Sequence, residues 1–120
     1  MTATWAGMAV SDNRRLIQGR GRMVANPAYQ VFKESMAWAL AADPCGIGFP
    51  PEARVRVHLT VTLPRRMDIS AVVKAALDAI QLTGAITDDN KVDELVVTRA
   101  GIAKGRQATI RFTVDPVDPA

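Results

Sequence analysis

Hydrophobic and polar positions alternate most cleanly over residues 54–63. There Val55, Val57, Leu59, Val61 and Leu63 are interleaved with Arg54, Arg56, His58, Thr60 and Thr62. A period of two predicts a strand with one buried face and one polar face. Gln107 to Val114 repeats the pattern, with Ala108, Ile110, Phe112 and Val114 inward and Thr109, Arg111 and Thr113 outward. Val92 to Arg99 reads as a further strand, and Thr4 to Val10 as a short one ending in the turn Ser11-Asp12-Asn13. Within Leu16 to Val24, Gly19 and Gly21 predict a turn between short strands, with arginines projecting from it.

A helical period takes over twice. Asn26-Pro27 is a cap followed by a first-turn proline, and Tyr29, Phe32, Met36 and Leu40 then recur at helical spacing, predicting a helix over 27–42. A second helix is predicted from Asp68 to Leu82, with Gly84 ending it. At about 100° per residue, Ile69, Val72, Val73, Ala76, Leu77 and Ile80 fall on one arc, and Ser70, Lys74 and Asp78 on a separate polar stripe. The segment 43–51, which contains Cys45, breaks the chain between these helical and strand patterns. The tail from Asp115 is expected to fray. The element order, roughly β(β)-α-β-α-β-β, argues for a single small α+β domain over residues 1–120, a mixed β-sheet with two helices.

Length and composition narrow the picture further. With 120 residues, 48% of them hydrophobic and 22% charged, the chain fits one ordinary globular core. No apolar run reaches the roughly 18 residues of a membrane span, and MTATWAGMAV lacks the basic and apolar stretches of a signal peptide. One cysteine, Cys45, excludes an internal disulfide and a cysteine-built zinc site, and points to a reduced, cytoplasmic setting. His58 is the one histidine and falls on a polar strand face, where a solvent or phosphate contact is expected. One histidine and one cysteine leave little material for a nucleophile–histidine site.

Charge is unevenly placed. Residues 1–26 carry Arg14, Arg15, Arg20 and Arg22 against Asp12 alone, while 11 basic and 11 acidic residues cancel over 27–120. The whole net charge of +3 therefore lies in the N-terminal segment. Arginine supplies it, as a flat fork of donors suited to phosphate oxygens, and nucleic acid is the expected partner.

Candidate chemistry concentrates at Pro64-Arg65-Arg66-Met67-Asp68, Lys74 and Asp88-Asp89. Carboxylates set among bases suit a metal ion laid against a phosphate backbone, because acids alone repel nucleic acid and bases alone bind it without cutting. Plainer roles remain open: Asp68 as a helix cap, Asp88-Asp89-Asn90 as a turn, and Lys74 with Asp78 as an i, i+4 ion pair. A helix between Asp68 and Asp89 could return the chain toward the same end of the sheet.

The run from Asp68 through Lys74 and Asp78 to Ile80, followed by Gly84 to Asp93, resembles the core motif of the RusA-type Holliday junction resolvases, approximately D-x-D-N-x-x-K-x-x-x-D-A-L and then G-x-x-x-D-D-x-x-V. Ser11-Asp12-Asn13-Arg14 is similar to that family's early S-x-N-R/H element. Gly19-Arg20-Gly21-Arg22 resembles its basic turn, and Lys104-Gly105-Arg106 its closing K-G-R hairpin. The resemblance implies a RusA-like fold and a homodimeric, Mg²⁺-dependent (or Mn²⁺-dependent) endodeoxyribonuclease that nicks four-way junction DNA, often encoded by phages. It places Asp68 and Asp89 as metal-binding carboxylates and Lys74 beside the scissile phosphate. Asn13, Arg14, Arg15, Arg20, Arg22, Arg65, Arg66, Lys104 and Arg106 are the DNA contacts expected with it. The chain departs from the motif at Ser70, where the second aspartate belongs, and at Ala71, where the asparagine belongs. The metal site is thereby altered, with Asp88 or Asp78 as partial substitutes, and the alternative is an inactive junction- or duplex-binding protein of the same fold.

Overall fold

The structure, a computed structural model, describes residues 1–42, 49–50 and 52–117. Cys45 and nearly all of the predicted break at 43–51 lie outside the described residues. A four-stranded sheet is built from β1 (Thr2–Met8), β4 (Val55–Leu63), β5 (Val92–Ile102) and β6 (Gln107–Pro116), in the order β1-β6-β4-β5. β6 runs antiparallel to both β1 and β4, whereas β5 runs parallel to β4. The sheet is mixed, as the element order predicts. A separate two-stranded ribbon pairs β2 (Leu16–Gln18) with β3 (Met23–Ala25).

Two helices, α1 (Pro27–Ala41) and α2 (Val73–Leu82), cover one face of the sheet. The alternation read in the sequence is what makes this possible. Val55, Val57, Leu59, Val61 and Leu63 of β4 and Ala108, Ile110, Phe112 and Val114 of β6 are fully buried. They form one core with Phe32, Met36 and Leu40 of α1 and Ala75, Ala76, Ala79 and Ile80 of α2. Trp5 of β1 closes one side, its ring 5.0 Å from that of Phe32, and its indole N–H donates to Ser35 Oγ at 2.9 Å. No buried charged or polar side chain interrupts this core among the described residues. None of the described helices is long and apolar enough to cross a membrane.

Three elements differ from the sequence pattern. The second helix is split: Ile69–Val72 is a 3-10 turn, and α-helix begins only at Val73. The reason is Asp12, whose carboxylate takes the N–H groups of Lys74 and Ala75 at 3.0 and 3.2 Å and so fixes where the helix starts. Ser70 consequently leaves the stripe it would share with Lys74 and Asp78 in an unbroken helix. Next, Lys104-Gly105-Arg106 forms a turn, with Gly105 at φ 70°, yet the strands it joins are not paired into a hairpin. They flank β4 on its two sides, so the turn passes over the C-terminal end of β4, where the Ala103 N–H donates to the Leu63 carbonyl at 2.8 Å. Finally, the chain does not fray at Asp115. Asp115 and Pro116 still pair with Arg56 and Val55, and the Val117 N–H donates to the Arg54 carbonyl at 2.8 Å.

Candidate nucleic-acid interface and carboxylate sites

At the C-terminal end of β4 the chain enters a turn closed by the Met67 N–H donating to the Pro64 carbonyl at 2.9 Å. Arg99, on the neighbouring β5, grips this turn by donating to the Leu63 and Met67 carbonyls. The turn exposes Arg65 and Arg66 and delivers Asp68, whose side chain makes no capping hydrogen bond. The plain reading of Asp68 as a helix cap is therefore not realised. Lys104 and Arg106 are exposed on the turn over the same end of β4.

The N-terminal element meets this end of the sheet. Asp12–Arg14 forms a 3-10 turn in which Ser11 Oγ accepts the Asn13 N–H at 3.3 Å. Asn26 serves two segments at once, accepting the Ala28 N–H at the start of α1 and donating to the Arg14 carbonyl at 2.8 Å. Together these bonds shape an open cleft of about 510 Å³ whose lining includes Ser11, Asn13, Arg14, Asn26, Arg66 and Asp68. Two motif elements more than fifty residues apart in sequence thus line one cleft. From its edge the β2–β3 ribbon extends, with Arg15 at its base and Arg20 and Arg22 at its tip around Gly21 (φ 72°).

Asp88 and Asp89 form a separate cluster. Asp88 caps the 3-10 turn Asp89–Lys91 by accepting the Asn90 N–H at 3.3 Å, so the turn expected there is present. A hydrogen bond between the two carboxyl groups holds Asp88 below its ordinary pKa and lifts Asp89 above its own. Lys74 partly offsets the rise at Asp89, and the nearby Asp78 charge adds to it. Lys74 and Asp89 are therefore within electrostatic reach. Asp78 does not pair with Lys74; its carboxylate lies 3.6 Å from Lys33 Nζ and ties α2 to α1.

Asp68 and Asp89 do not gather at one end of the sheet. Asp68 follows the last residue of β4, whereas Asp89 precedes β5, whose first residue Val92 pairs with Val55 at the beginning of β4. The parallel crossover sends the helix back along the strand, which separates the two carboxylates instead of joining them. Among the described residues, no group of three or more His, Cys, Asp or Glu side chains converges to hold a metal. Two adjoining carboxylates are a fitting donor set for a hard divalent cation, which keeps most of its waters and needs few protein ligands.

Three residues here carry no signal in a linear reading. Asp12 is linked to Tyr29, 17 positions away, and to Lys74 and Ala75, 62 and 63 positions away. Arg54 contacts Asp93 and donates to the Asn90 carbonyl at 2.7 Å, anchoring the Asp88–Lys91 turn. Arg99 holds the Pro64–Met67 turn from another strand. His58 sits on the open sheet face with Nε2 3.1 Å from Thr98 Oγ1.

The fold and the cleft define a small α+β domain that presents Arg14 and Arg66 beside Asp68 at one end of its sheet. The chain belongs to the RusA family: the family profile described as "Endodeoxyribonuclease RusA" matches residues 7–113. It is 26% identical over 103 residues to the crossover junction endodeoxyribonuclease RusA of Escherichia coli (strain K12), covering 86% of each chain. It is 25% identical over the same span and coverage to the proteins of that name from Enterobacteria phage 82 and Shigella sonnei (strain Ss046).

Proposed function

We propose that this protein is a metal-dependent endodeoxyribonuclease that nicks four-way DNA junctions and acts as a homodimer. The observation that carries the reading is the cleft in which Asn13, Arg14 and Arg66 meet Asp68, on a chain of the RusA family. Arginines at the mouth of such a cleft hold phosphates in register by bidentate hydrogen bonds. A hard divalent cation, when bound, neutralises phosphoryl oxygens and lowers the pKa of a bound water. Asp68 at the cleft, and separately the Asp88–Asp89 pair, are the carboxylates that could hold such a cation. Lys74 steadies negative charge developing on the phosphate, and Asp12 holds the helix that presents it. Arg65, Lys104 and Arg106 extend the phosphate track around the end of β4. Two protomers related by a two-fold axis match the symmetry of a junction and cut opposed strands.

A second reading rests on Ser70 and Ala71 and on the separation of Asp68 from Asp89. In it the protein binds junctions through the same surface but has lost the chemistry. One assay separates the two. A labelled four-way junction is incubated in Mg²⁺ and in Mn²⁺, with Asp89→Asn as control. Paired nicks that vanish in the control support the nuclease. A junction that is retarded on a gel yet uncut in both metals supports the binding protein.

A further inference from the structure

The β2–β3 ribbon is unusual in what it exposes. None of its six strand residues is buried, and Leu16, Ile17 and Met23 are 46, 39 and 55% exposed. The register Leu16↔Ala25, Ile17↔Val24, Gln18↔Met23 puts Leu16 and Met23 on one face and Ile17 on the other. Residues 13–26 contain four arginines and no acidic residue. The ribbon is tied to the body at its base, where the Asn26 N–H donates to the Arg15 carbonyl at 2.9 Å. Its tip is closed by the Gly19 N–H donating to the Arg22 carbonyl at 2.7 Å.

An arginine-only, acid-free ribbon selects a polyanion, but arginines alone account for phosphate contact and not for three exposed apolar side chains. A two-stranded ribbon fits a DNA groove, and Leu, Ile and Met beside arginines are the side chains that enter partly opened base steps. Opening a step costs least where stacking is already interrupted. We propose that the ribbon is a branch-reading arm. Its arginines seat on phosphates, while Leu16, Met23 and Ile17 lie against bases exposed at the branch point. This rests on the junction reading above and adds the element that distinguishes a branch from plain duplex.

The test compares wild-type protein with Leu16→Ser/Ile17→Ser/Met23→Ser and with Arg20→Ala/Arg22→Ala. Because the altered side chains lie outside the core, thermal unfolding should match wild type. The probes are a four-way junction carrying 2-aminopurine at the branch point and a linear duplex of the same length. The apolar triple variant should lose about ten-fold or more of the preference for junction over duplex. It should also keep its duplex affinity and salt slope, and fail to raise the 2-aminopurine fluorescence that wild type raises. The arginine pair should weaken both substrates and reduce the log–log salt slope by about two. A triple variant with unchanged junction preference overturns the arm. So does a triple variant whose sedimentation shows loss of a two-copy assembly, since the occupant is then a second chain. Wild-type protein that fails to prefer junctions overturns the junction reading itself, which is a separate result.

Discussion

The carboxylate of Asp12 accepts the backbone N–H of Lys74 at 3.0 Å, joining the N-terminal turn to the first turn of α2. The same side chain accepts the Ala75 N–H and the Tyr29 hydroxyl, so one residue fastens both helices to the element that carries Asn13 and Arg14. Val72, which precedes α2, offers no capping side chain of its own. Asp12→Ala should therefore destabilise the fold by about 2 kcal/mol, the combined scale of a lost cap and a lost charge-assisted hydrogen bond. Denaturant unfolding checks this, and a change under about 0.5 kcal/mol, the scale of a neutral surface substitution, would remove Asp12 from its structural role.

Tyr29 offers a clean titration, because it is the only tyrosine in the chain. Burial and then the hydrogen bond to Asp12 push its phenol well above the ordinary value of 10.0. A group whose pKa is raised on folding adds stability that is fully present below its unfolded pKa, and this is lost as pH climbs through the folded one. Near-ultraviolet absorbance should show no tyrosinate in the native protein near pH 10, and the protein should weaken progressively at more alkaline pH. Tyr29→Phe should flatten that alkaline loss. Half-ionisation of native Tyr29 at pH 10 would contradict the buried hydrogen bond.

Lys74 is exposed at the start of α2 and lies within electrostatic reach of Asp89. If it steadies the reacting phosphate, Lys74→Met should lower the nicking rate by about 10²- to 10³-fold, as loss of one positioned donor does. Junction affinity should fall by much less. A variant that loses affinity and rate in equal measure would place Lys74 among the phosphate contacts only.

Ser70→Asp restores the carboxylate of the family motif on the exposed 3-10 turn two residues after Asp68. Metal binding, read by calorimetry with Mn²⁺, should tighten, and nicking should rise. A folded variant that gains neither would mean that this turn faces away from the site.

Arg99→Leu should release the Pro64–Met67 turn, because no other described side chain donates to the Leu63 and Met67 carbonyls. Junction binding should weaken by several-fold while the thermal midpoint falls by only a few degrees, the scale of about 1 kcal/mol. A large loss of stability with no change in binding would contradict a role in aiming Arg66 and Asp68.

Much of the fold was legible because burial imposes periods on the chain. The alternation in β4 and β6 and the helical spacing of Tyr29, Phe32, Met36 and Leu40 are direct imprints of one buried face. The ribbon was legible from Gly19 and Gly21. What the pattern could not carry was long-range partnership. Nothing near Asp12 announces a cap for a helix 62 residues later, and the split at Val73 follows from that contact. Likewise, Lys104-Gly105-Arg106 has hairpin chemistry locally, and only the insertion of β4 between its two strands shows that it is a crossover. Residue type and spacing singled out the carboxylates as candidates and the family resemblance gave them roles, but their separation depended on β5 running parallel to β4, which spacing does not encode.

The position of β6 has a consequence for how the molecule comes into being. It is the last strand among the described residues, yet it lies between β1 and β4, pairing Thr2 with Thr113 at one extreme of the register. During synthesis β1 emerges before the other strands of this sheet and has no sheet partner until β6 has been made, and one edge of β4 stays bare for the same interval. The assembly step is thus deferred to the C-terminal strand, and contacts of such high sequence separation fold slowly. A nascent chain halted before Gln107 would hold its two helices over half a sheet, with the hydrogen-bonding edge of β4 that β6 later fills open to another strand.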